Sequence, residues 1–357
     1  MKKTLDLSET KKKIVLAWEG LPNFAARLIQ AARLEINDLF PVIGTFPNVP
    51  TKGMEDILGE KIIWLKALRK YSWREIDLEV PDIFFHSGWR YPHFISLADE
   101  VRRKGGVVVG IFDNPLKSCL RQLIGRFYFR LFMRKKYFAA QVPGKSGYRL
   151  ARRLGFDASR VFTGMLASSP AVFSVKVPIN KRSKQILFVG QFIPRKAILE
   201  LVEAFNRVTP LFPDWSLLLV GSGELRNAIP LSDQVKVQDF QPPEKIAKLM
   251  NDSRVFALAS HSEHWGLVVH EATLSGCALL LNANIGAVPD LASRKNAFLF
   301  QPTNVDKIEQ GLLSILSWDE EKFQQASIES QSLASHFSPK VFGRSFKKIL
   351  DAIENDA

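Results

Sequence analysis

Long apolar runs are missing from this chain. No stretch reaches the roughly 18 apolar residues that a bilayer-spanning helix needs, and Met1 to Lys13 is polar and lysine-bearing without the apolar centre of a signal peptide. These absences predict a cytoplasmic protein. Cysteine is also scarce: Cys119 and Cys277 lie in opposite halves, which excludes a disulfide scaffold and suits a reducing compartment. His93, His261, His264 and His270 lack persuasive metal-ligand spacing, so no metal site is expected. No repeat of about 20 to 50 residues is evident, which excludes a solenoid.

What is present is an ordinary globular composition. At 357 residues and 46% hydrophobic, the chain is long enough for two domains, each with its own core. Charge is uneven. Residues 1–180 carry 30 Lys and Arg against 16 Asp and Glu, whereas residues 181–357 carry 19 against 20. Such a basic half either faces an anionic partner, phosphate-rich lipid or nucleic acid, or serves solubility.

Short apolar runs alternate with helical patterns, predicting α/β layers with parallel strands. In the first half the expected strands are Ile14 to Trp18, Phe40 to Thr45, Ile83 to Ser87, Val107 to Phe112 and Phe138 to Val142. In the second they are Gln185 to Val189, Leu217 to Val220, Val235 to Val237, Val255 to Ala259, Ala278 to Leu281 and Ala297 to Phe300. The polar, proline-bearing segment Ser174 to Lys184 reads as the linker. The expected division is a basic N-terminal domain, 1–178, then a second domain, 179–335. A final helix within 336–357 packs back toward the first.

The most informative stretch is Glu263-His-Trp-Gly-Leu-Val-Val-His-Glu271-Ala-Thr. Gly266 opens a helix that Gly276 closes, with Glu263 in the loop before it. The amides of Gly266, Leu267 and Val268 then sit at the positive end of the dipole, where a diphosphate binds well. Glu271 follows roughly 6 to 7.5 Å along the axis, about the reach from a phosphate to its ribose. Taken alone, the pair reads first as a solvated helix face; its context changes that reading. Upstream, a strand runs into Gly190-Gln191 and a loop bearing Arg195 and Lys196 before a helix. That loop suits a diphosphate at the C-terminal end of a parallel sheet, or is a solvated cation pair. Gly221-Ser-Gly223 is a further strand-to-helix turn, weak evidence by itself. Asn284-Ile-Gly286-Ala-Val-Pro-Asp290 is another: Gly286 would admit a ligand against backbone, and Asp290 is an ordinary first-turn acid.

In this order, Val-Gly-Gln-Phe-Ile-Pro-Arg-Lys, Val-Gly-Ser-Gly-Glu, the Glu263 to Ala272 stretch and Gly-Ala-Val-Pro-Asp resemble the donor-binding half of retaining glycosyltransferases of family 4. The likeness covers about Gln185 to Ser317. It implies a GT-B fold, two Rossmann-like doubly wound domains facing a central cleft. Lys196 matches the lysine on the donor diphosphate, Glu263 the residue facing the transferred sugar, and Glu271 the one bonding the ribose. Gln191 stands where relatives carry an arginine, and Ala197 replaces a glycine. In the first domain the resemblance is thinner. Gly20 occupies a loop where relatives often pair glycines, His86 ends a strand, and Phe112-Asp113 stands where relatives often have His-Asp. Gly20, His86 and Asp113 are therefore candidate residues of the N-domain cleft.

Two more stretches stand out. Pro143-Gly-Lys-Ser146 is a turn and helix start, since Ala139 stands where a phosphate-binding loop needs glycine. The run Arg121 to Phe138 repeats arginine at 126, 130 and 134, with Leu123, Phe127 and Leu131 on another face. It reads as an interfacial membrane helix or as a core helix with a basic outer side. No nucleic-acid module accompanies it, so none is expected as partner.

The resemblance implies a retaining hexosyltransferase using a UDP- or GDP-linked sugar, with no cofactor and no side-chain base. Glu263 and Lys196 carry the catalysis. The acceptor is a glycan or a lipid-linked glycan of cell-surface polysaccharide or lipopolysaccharide synthesis. The basic half points to an anionic membrane surface on the inner face of the plasma membrane. The alternative is a catalytically weak nucleotide-binding scaffold or regulator of the same fold.

Overall fold

The computed structural model describes residues 12–46, 53–116 and 120–356; Cys119 and most of the N-terminal segment lie outside them. Two parallel sheets organise the chain. The first is built from β1 (Ile14–Trp18), β2 (Val42–Thr45), β3 (Ile63–Leu65), β4 (Ile83–Ser87), β5 (Val107–Ile111), β6 (Ala139–Gln141) and β7 (Val161–Phe162). Their order is β3-β2-β1-β4-β5-β6-β7. The second holds β8 (Ser183–Val189), β9 (Ser216–Val220), β10 (Val235–Gln238), β11 (Ser253–Leu258), β12 (Ala278–Asn282) and β13 (Ala297–Phe300). Their order is β10-β9-β8-β11-β12-β13. The strands are apolar and largely buried because helices cover both faces of each sheet.

Helices α1 (Asn23–Ile36), α2 (Met54–Leu58), α3 (Pro92–Arg103), α4 (Leu120–Tyr128) and α5 (Lys145–Arg153) belong to the first half. The second carries α6 (Ile198–Val208), α7 (Pro243–Asp252), α8 (Leu267–Leu274), α9 (Val288–Leu291), α10 (Val305–Leu316), α11 (Glu320–Ala334) and α12 (Pro339–Glu354). Helix α12 returns to the first sheet: Phe346 stacks on Phe85 at 4.2 Å and on Phe40 at 5.4 Å. Gly343 lets this helix approach α1, since a Cβ there would stand 2.7 Å from the Ala31 carbonyl.

All eleven expected strands form, with boundaries shifted by at most two residues. The sequence reading lacks β3 and β7, the two edge strands of the first sheet, at three and two residues. Such short runs carry no period of their own.

Each sheet reverses direction of winding once, between β1 and β4 and between β8 and β11. Ligands of open parallel sheets bind at the carboxyl ends of the strands flanking such a point. The loops at those four ends are Trp18 to Pro22, Ser87 to Tyr91, Gly190 to Ala197 and Ala259 to Gly266.

Candidate functional site

In the second domain, β8 ends at Val189 and the loop reaches Lys196 in a single tight turn, closed by Ala197 at φ 52. A glycine at this position would relieve the left-handed strain that Ala197 carries. β11 leads to Glu263 across the switch point. There the Lys196 Nζ and the Arg195 Nη1 both donate to Glu263 Oε1, at 2.5 and 2.9 Å. Burial alone pushes the Glu263 carboxyl up; the Lys196 and Arg195 charges overcome it and hold it below the usual glutamate range. Arg195 also bonds the Ser262 carbonyl at 2.8 Å and remains exposed. Expected to have separate duties, Lys196 and Glu263 instead form an ion pair with each other.

Gly266 is the left-handed N-cap of α8, at φ 87, one residue later than the sequence puts the helix start. The opening amides of Gly266, Leu267 and Val268 have no intrahelical acceptor. Gly286 packs closely against backbone: a Cβ there would lie 1.8 Å from the His264 carbonyl, so this glycine seats the Glu263 loop on its neighbour. Gly221 does the same beneath Gly190, where a Cβ would approach the Gly190 oxygen to 1.9 Å.

Glu271 is half-buried on α8 and accepts from the Ser168 hydroxyl at 2.8 Å. Burial raises its pKa to about 7, and the Ser168 bond opposes this only in part. Next to it, buried His270 accepts from the Ser168 backbone N–H at 3.0 Å and donates to the Ala334 carbonyl at 3.1 Å. Those partners assign the proton to Nε2, and burial lowers the His270 pKa to about 4. Ser168 lies on the strand of chain that crosses between the domains, so both side chains tie α8 to that crossing.

The cavity beside these residues has two lobes. One, of about 620 Å³, is lined by Lys196, Glu263, the amides opening α8 and Glu271. The other, of about 300 Å³, is mostly apolar, with Phe173, Val220, Phe240 and Ile246. The lobes share Val189, Gly190, Gln191 and Glu271. Glu271 thus stands where a charged chamber meets an apolar one.

The first domain departs further from expectation. His86 is sealed in the core, stacked on Phe84 at 5.4 Å with its pKa lowered to about 4 by burial. It therefore lines no cleft: strand alternation turns it inward. Phe112 is buried too, among Phe129, Tyr137 and Phe156. Gly20 does stand at the β1 end, at φ 66, with its N–H on Thr45 Oγ1 at 2.8 Å. The adjacent Glu19 N–H bonds Ser87 Oγ at 2.6 Å across the switch point. Sequence reasoning missed the Glu19 carboxylate, which bonds buried His93 Nε2 at 3.0 Å. Only an acid in a β1 loop flagged it. Tyr91 lies close by: burial and then the Glu19 and Asp113 charges raise its phenol pKa. Asp113 crosses the cleft to His264 Nδ1 at 3.2 Å.

A second interdomain contact lies at α5, where Asp290 Oδ2 accepts the Lys145 N–H at 3.0 Å. Asp290 is thus more than a first-turn acid of α9: it caps a helix of the other domain. A Cβ at Gly144 would meet the Asp290 carboxylate at 2.3 Å, so a larger residue there would have to push that side chain aside.

Known structures share this fold. HepE of Anabaena, in complex with UDP and glucose, matches 96% of this chain and all of its own at TM-score 0.73 and 14% identity. The fold is GT-B. Lipopolysaccharide outer core galactosyltransferase WaaB in its apo form gives TM-score 0.65 at 14% identity, over 97% of this chain and all of its own. Residues 172–330, most of the second GT-B domain, match the family described as glycosyl transferases group 1. An uncharacterized glycosyltransferase of Haemophilus influenzae is 27% identical over 187 residues, 49% of this chain. The chain spans about half the length of that relative, 52%. These similarities show the GT-B fold for the chain and, for residues 172–330, a likeness to group 1 glycosyl transferases.

Proposed function

We propose that this protein moves a hexose from a UDP- or GDP-linked donor to a glycan or lipid-linked acceptor, with retention at the anomeric carbon. The observation that carries the reading is Glu271 at the boundary of the two lobes. A nucleoside diphosphate laid along them puts its base in the apolar lobe and its diphosphate at Lys196 and the α8 amides. The ribose then lies on the carboxylate between, which suits paired hydroxyl donors. HepE holds UDP in its structure, and UDP is a ligand of this shape.

The transfer follows from charge and position. Arrival of the diphosphate draws Lys196 from Glu263, leaving that carboxylate for the hydroxyls of the donor sugar. Lys196 and the helix dipole stabilise the departing diphosphate, whose oxygen takes the acceptor proton. No metal and no side-chain base are needed. On the opposite wall Glu19, Tyr91 and Asp113 receive the acceptor hydroxyls. Retention rests on the family resemblance of the Glu263 to Glu271 stretch. Cell-surface polysaccharide or lipopolysaccharide synthesis is the setting, in keeping with the galactosyltransferase WaaB of like fold.

The test is incubation with UDP- and GDP-hexoses, alone and with a lipid extract, reading nucleotide release and the anomeric proton of the product. Release only with extract, and an unchanged anomeric configuration, supports the proposal. Thermal stabilisation by UDP or GDP without release favours the scaffold reading instead. Neither stabilisation nor release sinks both.

A further inference from the structure

One large cavity lies away from the donor site. A groove of about 1460 Å³ runs between α3 and α4 on the outer side of the first domain, beyond the ~300–1,000 Å³ of ordinary small-molecule pockets. Trp89, Ile95, Ile124 and Tyr128 form its apolar lining. Around them stand Lys70, Arg90, Arg102, Arg103, Arg121 and Lys136. The acid of the groove, Asp99, is already met by Lys136 at 2.9 Å and Arg102 at 3.5 Å.

The outer wall is the helix the sequence singled out, and the structure decides what it does. After α4 the chain widens into a π turn, Phe129–Met133. Phe129 and Met133 turn inward, while Leu120 (71% exposed), Phe127 (63%), Leu131 (69%) and Phe132 (63%) point out. This excludes a core helix with a basic outer side. The expected arginine stripe is also broken: Arg134 bends back to the Gly155 and Tyr137 carbonyls and stacks on Phe156 at 4.1 Å. Arg130 stays exposed beside the apolar row. From Asn114 to Phe156 the sequence holds 11 Lys and Arg and no acid.

We infer that α4, its π turn and the groove behind them dock on an anionic phospholipid bilayer. The apolar row enters the headgroup boundary, and the lipid phosphates settle among Arg90, Arg103 and Arg121. Apolar side chains flanked by uncompensated cations are matched by a surface that is oily below and negative above. An acidic protein partner would satisfy the cations but give no depth for four protruding large side chains. Trp89, stacked on Tyr128 at 6.2 Å, lies in the loop leaving β4. That loop is at the cleft end of the sheet, so docking here sets the cleft beside the membrane. The inference stands without the proposed transfer reaction.

Flotation of the full chain with vesicles tests it. Pure phosphatidylcholine should carry little protein, and an equal mixture with phosphatidylglycerol should carry most of it, less at high salt. Phe127→Glu with Leu131→Glu should abolish flotation. Arg90→Ala and Arg121→Ala should each lower partitioning about fivefold. All four side chains are exposed, so melting temperature and UDP-induced stabilisation serve as controls and should not move. A failure of transfer would show only in nucleotide release, leaving flotation untouched. Absence from mixed vesicles, or equal flotation of the double glutamate variant, overturns the proposal. So does a dimer in solution that the double variant dissolves, which would assign the face to a second copy.

Discussion

Lys196 and Glu263, 67 positions apart, meet at 2.5 Å across the switch point of the second sheet, and Arg195 shares the same carboxylate oxygen. The two cations are therefore met by the protein's own carboxylate, and on the proposed function a donor diphosphate must displace it. Glu263→Gln should bind free UDP or GDP severalfold more tightly in titration calorimetry, because the cations are released. The same variant should transfer sugar poorly, by about 10²–10³-fold, the usual cost of one lost transition-state contact. Weaker UDP binding by Glu263→Gln would refute the exchange. Lys196→Ala should lose both affinity and turnover.

Glu271 gives a pH signature. Its pKa is raised in the folded state to about 7, so its contribution is full below the unfolded value near 4.5 and is lost as pH rises toward 7. The loss is about 3 kcal/mol at most, at ~1.4 kcal/mol per pKa unit. Without donor, wild-type thermal stability should fall across that window more steeply than that of Glu271→Gln. Equal slopes would mean that the carboxyl is solvated. Glu271→Gln should also bind donor much more weakly.

His270 has the opposite sign. Its folded pKa is lowered to about 4, so its contribution is present above the unfolded value near 6.5 and disappears as pH falls through about 4. His270→Ala strips partners from the buried Ser168 N–H and the Ala334 carbonyl and leaves a cavity, at a cost of about 2–4 kcal/mol in denaturant unfolding. A cost below about 1 kcal/mol would show that the interdomain crossing is held elsewhere.

Glu19 separates the two walls of the cleft. Glu19→Gln should lower transfer to acceptor at least tenfold while UDP affinity stays at the wild-type value. A parallel loss of UDP affinity would move Glu19 to the donor side.

Chelation provides the last test. Lys196, Arg195 and the α8 amides supply the positive charge that a divalent ion supplies elsewhere, so nucleotide release should be unaffected by excess EDTA. Abolition by EDTA and rescue by magnesium would overturn the metal-free reading.

Much of this protein is determined by local sequence. Alternation of apolar runs and helical patterns specifies two parallel α/β sheets, because a buried strand such as Ile83 to Ser87 reads as apolar wherever it lies in the chain. Glycine turns and the spacing of Glu263 and Glu271 likewise depend on neighbours within one helix and its loop. Tertiary structure decided what needs two distant segments. It put Lys196 and Glu263 on one oxygen, Asp290 on the α5 N-terminus and Ser168 beneath Glu271. It also turned His86 and Phe112 into the core, since a side chain's face on a central strand is set by the sheet it joins. A Glu-x7-Glu spacing is written in eleven residues; whether its carboxylates meet a lysine, a serine or a ligand is settled by packing between chains of residues that the sequence holds far apart.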